Sequence, residues 1–117
     1  MKETAIRADW EHFPISDARP LSLKMQFDAC QFLKLTKGFV PCGMDDKWFI
    51  CFEEGWLYFY RSWTGKGIYK AKVELQENKA YAINTIWVER DKENYENEED
   101  EFDLNVFTYL VTKILLK

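Results

Sequence analysis

The chain has 117 residues with a formal net charge of −4, 47% apolar, 31% charged and 17% aromatic. That length suits one domain with a core of its own and is short for two. The apolar runs are four or five residues long, far below the roughly twenty that span a bilayer, and the acidic balance argues against binding duplex nucleic acid.

Residues 1 to 20 read as an irregular N-terminal arm, because Pro14 and Pro20 interrupt it and Ser16 and Asp17 supply turn chemistry. Its first residues carry charge without a following apolar stretch, so no secretory signal is expected and a cytoplasmic setting is. Three cysteines, Cys30, Cys42 and Cys51, agree with that setting. They are odd in number, have no C-x-x-C spacing and share the chain with a single imidazole, His12, which predicts reduced thiols and no metal site.

From Leu21 two periodicities compete. Leu21, Leu23, Met25, Phe27 and Ala29 alternate with other residues as in a strand, while Leu23, Phe27, Cys30 and Lys34 make a helical stripe. Helix-forming residue types, Pro20 in a first turn and Gly38 as a stop favour a helix over 20–37.

After the Pro41-Cys42-Gly43 loop comes the densest feature: nine aromatic residues between Lys47 and Tyr69. Lys47–Glu53 and Trp56–Trp63 read as antiparallel strands joined at Glu54-Gly55, where glycine accepts the positive φ of a two-residue hairpin. This register sets Phe52 against Leu57, Ile50 against Phe59 and Trp48 against Arg61 on one face. On the other it sets Glu53 against Trp56, Cys51 against Tyr58 and Phe49 against Tyr60. So many rings exceed what one buried sheet face holds, so a second face needs a cover: the chain's own helices, a partner or a flat ligand.

A third strand follows in the alternation of Tyr69, Ala71, Val73 and Leu75 with Lys70, Lys72 and Glu74, and a fourth over Ala80–Arg90. Residues 91–101 form an acidic loop, with seven acids in eleven positions. Phe102, Val106, Phe107, Leu110, Val111 and Ile114 then recur at helical spacing, with acids before the helix and lysines at its end. The predicted fold class is α+β: one domain over 1–117, a four-stranded antiparallel meander packed by an N-terminal and a C-terminal helix.

Two surfaces suggest function. Trp56, Tyr58 and Tyr60 share one strand face at period two, as rings at interfaces do, and with the acidic loop (Glu98, Glu99) they suggest a non-catalytic module meeting a protein partner or a second copy of the chain. The alternative uses Arg61, Ser62, Trp63, Thr64 and Lys66, with Gly65 and Gly67, to bind a nucleotide or phosphate ligand, possible weak hydrolase chemistry included. Cations would neutralise phosphate, an indole would stack on a base, and glycines would admit close backbone approach. The loop lacks the glycine and hydroxyl pattern of a Walker A motif, and its plain reading is a tight hairpin with Arg61 lying past Trp48.

Catalysis has weaker support. Cys42 with His12 and Asp45 or Asp46 contains the residue types of a thiol nucleophile with base and orienter, without a recognisable local pattern, and neighbouring aspartates in a strand would point apart. No catalytic residue, cofactor or metal is predicted. The acidic run lacks the central glycine of a calcium loop. The segments Met44-Asp45-Asp46-Lys47-Trp48-Phe49-Ile50, Gly55-Trp56-Leu57-Tyr58-Phe59 and Arg61-Ser62-Trp63-Thr64-Gly65 resemble a small bacterial domain of unassigned function. The resemblance covers about a quarter of the chain and implies no activity or ligand.

Overall fold

The computed structural model describes residues 4–117; Met1 to Glu3, the start of the expected arm, lie outside them. The elements in order are a 3-10 helix (Arg7–Asp9) within the otherwise irregular arm, β1 (Ala18–Phe27), α1 (Ala29–Lys37), β2 (Trp48–Glu53), β3 (Trp56–Arg61), β4 (Gly67–Lys72), β5 (Glu74–Leu75), β6 (Tyr81–Glu89) and α2 (Asp100–Tyr109), which runs on as a π-helix over Leu110–Leu115. Among the described residues no helix is long and apolar enough to cross a membrane.

The architecture is α+β, with an antiparallel sheet of six strands where four were expected. The order is β1-β6-β4-β3-β2, with β5 also paired to β6. The expected third strand is β4 and β5, broken at Val73, whose amide donates to the Gly55 carbonyl at 2.9 Å. The central hairpin has the predicted register, from Trp48 opposite Arg61 to Glu53 opposite Trp56. Positive φ at Glu54 (52°) and Gly55 (89°) identifies a two-residue turn whose twist matches the strands it joins.

The helix expected over 20–37 is corrected. Residues 18–27 form the edge strand β1, paired along β6, and only Ala29–Lys37 is helical. The alternation of Leu21, Leu23 and Met25 decided the matter, since all three pack on the main core. Pro20 sits on an edge strand, which tolerates a missing amide, and a register shift between Ser22 and Met25 further protects that edge. The start signal lies at Asp28, whose carboxylate accepts the Gln31 amide at 2.7 Å while the Gln31 side chain accepts the Asp28 amide. Gly38 ends the helix as expected, at φ 65°.

Both helices pack on one sheet face. There Leu35, Phe107, Leu110, Val111 and Leu115 meet Ile50, Leu57, Phe59, Tyr69, Ile83, Ile86 and Val88. Phe102, expected on the buried stripe, is half exposed. Among the described residues the opposite face carries no α-helix, only a 3-10 helix of the N-terminal arm at Arg7–Asp9. One end of it is closed by the N-terminal arm, which buries Ala5, Phe49, Cys51 and Tyr60 in a second cluster with Trp10 beside them.

The arm is held by stacking and by backbone pairing. Trp10 lies parallel to Phe49 at 5.0 Å and 7°, and the Phe13 amide donates to the Gly65 carbonyl at 2.8 Å while the Gly67 amide donates to the Phe13 carbonyl at 3.0 Å. Trp10→Ala is expected to cost about 2 kcal/mol, less than a fully buried indole because Trp10 is only half buried. Urea unfolding checks this against Leu33→Ala at an exposed helix position, which should change stability by less than about 0.5 kcal/mol.

Candidate binding surface

Along β3 the side chains of Trp56, Tyr58 and Tyr60 point to the face free of α-helix, as alternation requires. The arm divides them. Tyr60 is 3% exposed beneath it, whereas Trp56 and Tyr58 stay half open. The divide falls at Arg7, whose guanidinium lies 4.5 Å from the centre of the Tyr58 ring and pairs with Glu53 at 2.8 Å.

Beyond Arg7 Trp56, Tyr58, Lys70 and Trp87 are half buried and Lys72 is exposed, with no further segment of the described residues laid over them. Lys72 opposes Trp56 across β3 and β4, and Lys70 lies between Tyr58 on one side and Trp87 of β6 on the other. The Trp56 and Trp87 rings meet at 5.3 Å. The ammonium groups of Lys70 and Lys72 lie 5.4 and 5.8 Å from the Trp56 ring centre. Lys24 of β1, exposed between the core-facing Leu23 and Met25, adds a third lysine to the same side of the sheet. A recess of about 100 Å³ opens where this platform meets the arm, lined by Arg7, Pro14, Ile15, Tyr58, Tyr60 and Lys70 among others.

The Arg61–Gly67 loop does not gather its polar groups at one point. Arg61 lies 5.1 Å over Trp48, Lys66 donates to the Glu93 carbonyl at 3.2 Å, and Ser62 Oγ donates to the Asp46 carbonyl at 2.7 Å. Thr64 Oγ1 accepts the Lys66 amide at 3.2 Å. A β-carbon on Gly65 would come within 2.5 Å of the Glu11 carbonyl oxygen, so this glycine serves the close passage of the arm. Trp63 remains prominent at 65% exposure, with Lys47 Nζ 4.9 Å from its ring centre.

The acidic loop belongs to the other side of the molecule. Glu98 pairs with Lys92 at 3.1 Å, and Glu99 precedes α2 without capping it through its side chain. Beneath the loop the buried carboxylate of Asp103 accepts from Tyr69 at 2.6 Å, from Asn97 at 2.9 Å and from Tyr95, and pairs with Arg90 at 2.7 Å. Lys66 and Tyr69 at the start of β4 touch this loop, while Trp56 faces Lys72 at the strand's far end. The aromatic face and the acidic loop are therefore not one continuous surface.

Glu89 is the second buried acid, accepting the amides of Ser16, Asp17 and Asp91 at 2.7, 2.8 and 3.0 Å. It ties the end of the arm to β6. With every oxygen engaged by its own chain, Glu89 and Asp103 hold segments in place rather than presenting an acid to substrate.

The thiol pair is not assembled either. His12 packs on Tyr60 with Nδ1 2.8 Å from the Trp10 carbonyl oxygen, and the Cys42 thiol turns to the Val40 carbonyl. Asp46 takes the turn role, accepting the Cys42 amide at 2.8 Å. Cys30 and Cys42 are exposed and Cys51 is buried, its thiol pushed up to about 12 by burial and only partly drawn back by Arg7. Among the described residues no three His, Cys, Asp or Glu side chains come together as metal ligands.

A groove of about 390 Å³ between the loop at 45–48 and the C-terminal helix is walled by Trp48, Leu110 and Ile114, with Asp45 and Asp46 at its rim. Comparison with protein-family models, with curated proteins and with solved structures finds no match to the chain.

Sequence reasoning singled out Trp56 and Tyr58 but not Lys70, Lys72 and Trp87, which the sheet places beside them. The signal was partly there, in the wet face of the Lys70–Lys72 alternation. Their meeting with Trp87 depends on the pairing of β4 with β6, which a single sequence does not reveal.

Two outcomes follow from the buried groups. Asp103→Ala leaves Arg90, Tyr69 and Tyr95 without their shared acceptor and should cost about 3–5 kcal/mol in denaturant unfolding. Burial raises the phenols of Tyr60 and Tyr95 from 10.0 to about 12, and the Cys51 thiol from 9.0 to about 12. These groups hold their protons more tightly folded than unfolded. Their contribution is complete below about pH 9 and lost as pH rises through 12. Stability measured against pH should fall across that window, with late phenol ionisation visible by ultraviolet absorbance.

Proposed function

We propose that the protein is a non-catalytic binding module whose contact surface is the open half of the sheet face free of α-helix. The observation that carries this reading is the platform of Trp56, Tyr58 and Trp87 with Lys70 and Lys72, half open although the arm closes the β2 end of the same face. Half-open rings beside lysines that form no salt bridge among the described residues, on a net acidic chain, favour an occupant carrying negative charge. The separation of the acidic loop from this platform limits the loop to a second contact at most, or to steering a basic group elsewhere on a partner.

A reducing, cytoplasmic setting is part of the proposal, supported by three free cysteines of which two are exposed. The nucleotide reading of the Arg61–Gly67 loop has less support, because Arg61 and Lys66 turn in different directions from it.

Chemical crosslinking followed by capture from native lysate tests the reading. Trp56→Ala combined with Trp87→Ala should lower partner recovery at least tenfold, while Leu33→Ser on the exposed face of α1 leaves it unchanged. Equal recovery by both variants, with both folded by circular dichroism, would contradict the proposal.

A further inference from the structure

We infer that the open sheet face binds single-stranded nucleic acid, bases stacking on Trp56, Tyr58 and Trp87 while Lys70, Lys72 and Arg7 meet the phosphates. The inference rests on the proposal that this face is a docking surface and adds the chemistry of what docks.

Three observations select this occupant. Flat half-open rings lie on β3 and β6 with the lysines of β4 between them, so π-faces and cations alternate across the platform. A single strand offers the complementary alternation of unpaired bases and phosphates, and stacking on such rings tolerates any base. The lysines also lie in the middle of the patch. Protein–protein interfaces are depleted of lysine at their centres, which weighs against a folded protein partner.

The third observation is the recess of about 100 Å³ at the edge of the platform, bordered by Arg7, Lys70 and the phenols of Tyr58 and Tyr60. It is too small for a nucleoside and suits a tetrahedral anion with several donors around it. Arg7 is already held by Glu53 at 2.8 Å, so a phosphate there gains from an orientated guanidinium but competes with a carboxylate. Modest affinity is the consequence. Among the described residues Glu53 is the direct cross-strand partner of Trp56, and the exposed Glu74 follows Lys72 by two positions.

The net charge of −4 is unevenly spread: eight of the twenty acids lie between Asp91 and Asp103, in the loop and in α2, which packs on the other sheet face. With a Debye length of about 10 Å at 0.1 M salt, charges on the far side scarcely reach the platform. A duplex hides its bases and would find only the few phosphate contacts.

The test uses the full chain with fluorescein-labelled dT10 and rU10, a labelled deca-glutamate peptide and a ten-base-pair duplex. Anisotropy and tryptophan quenching are read from low to moderate salt. The single strands should bind with a dissociation constant of about 10–100 μM at low salt and quench tryptophan emission. The duplex should bind at least tenfold more weakly. Trp87→Ala should weaken single-strand binding about tenfold with little change in salt slope. Lys70→Ala with Lys72→Ala should make the log–log salt slope shallower by about 1.4.

Binding of deca-glutamate with tryptophan quenching, but of neither single strand, would overturn this inference and keep the face as a docking surface. Single-strand binding that Trp87→Ala and the lysine pair leave unaltered would also overturn it, by moving the site elsewhere. No binding of any probe, together with undiminished capture by Trp56→Ala/Trp87→Ala, would remove both the inference and the docking face.

Discussion

Rings project from both faces of this sheet, but its α-helices cover only one, and the way the second face is closed governs the rest of the molecule. Phe49, Cys51 and Tyr60 cannot be left in water at the β2 end of that face without forfeiting the burial that makes the hairpin worth forming. The chain answers with its first residues. Trp10 stacks on Phe49, His12 tilts over Tyr60 and Ala5 fills the corner beside α1, where its amide donates to the Lys37 carbonyl at 2.8 Å. A largely irregular segment, with a single short 3-10 helix at Arg7–Asp9, thus does what the α-helices do on the other side.

Two buried carboxylates keep the covers in register. Glu89 takes three backbone amides and so fixes where the arm turns into β1. Asp103 draws Arg90, Tyr69 and Tyr95 together and so fixes the acidic loop against β4 and the start of α2. Each is expensive to bury alone and inexpensive when every oxygen is answered. Neither acid points into open space.

Much of this was legible in the residues. Period-two alternation and a Glu-Gly turn were enough to set every pair of the β2–β3 hairpin, because slipping by one would have thrown Leu57 and Phe59 out of the core. The excess of rings announced a second face needing a cover. The strand at 18–27 was missed because Leu, Lys, Met and Gln form helices readily. Tertiary pairing with β6 overrode that preference. The identity of the cover was illegible for a different reason. An irregular arm has no periodicity, and only Gly65 and Gly67, needed where its backbone passes close, hint that something lies against them. The open patch was half visible: Trp56 and Tyr58 share a strand, but Trp87 joins them only through long-range pairing.

The division of the second face into a closed end and an open end is most directly measured by hydroxyl-radical footprinting of the intact chain, read residue by residue by mass spectrometry. Phe49 and Tyr60 should be protected, Trp63 should react fastest, and Trp56 and Trp87 should react at intermediate rates. Tyr60 oxidising as fast as Trp63, or Trp56 and Trp87 as protected in the monomer as Phe49, would contradict the account.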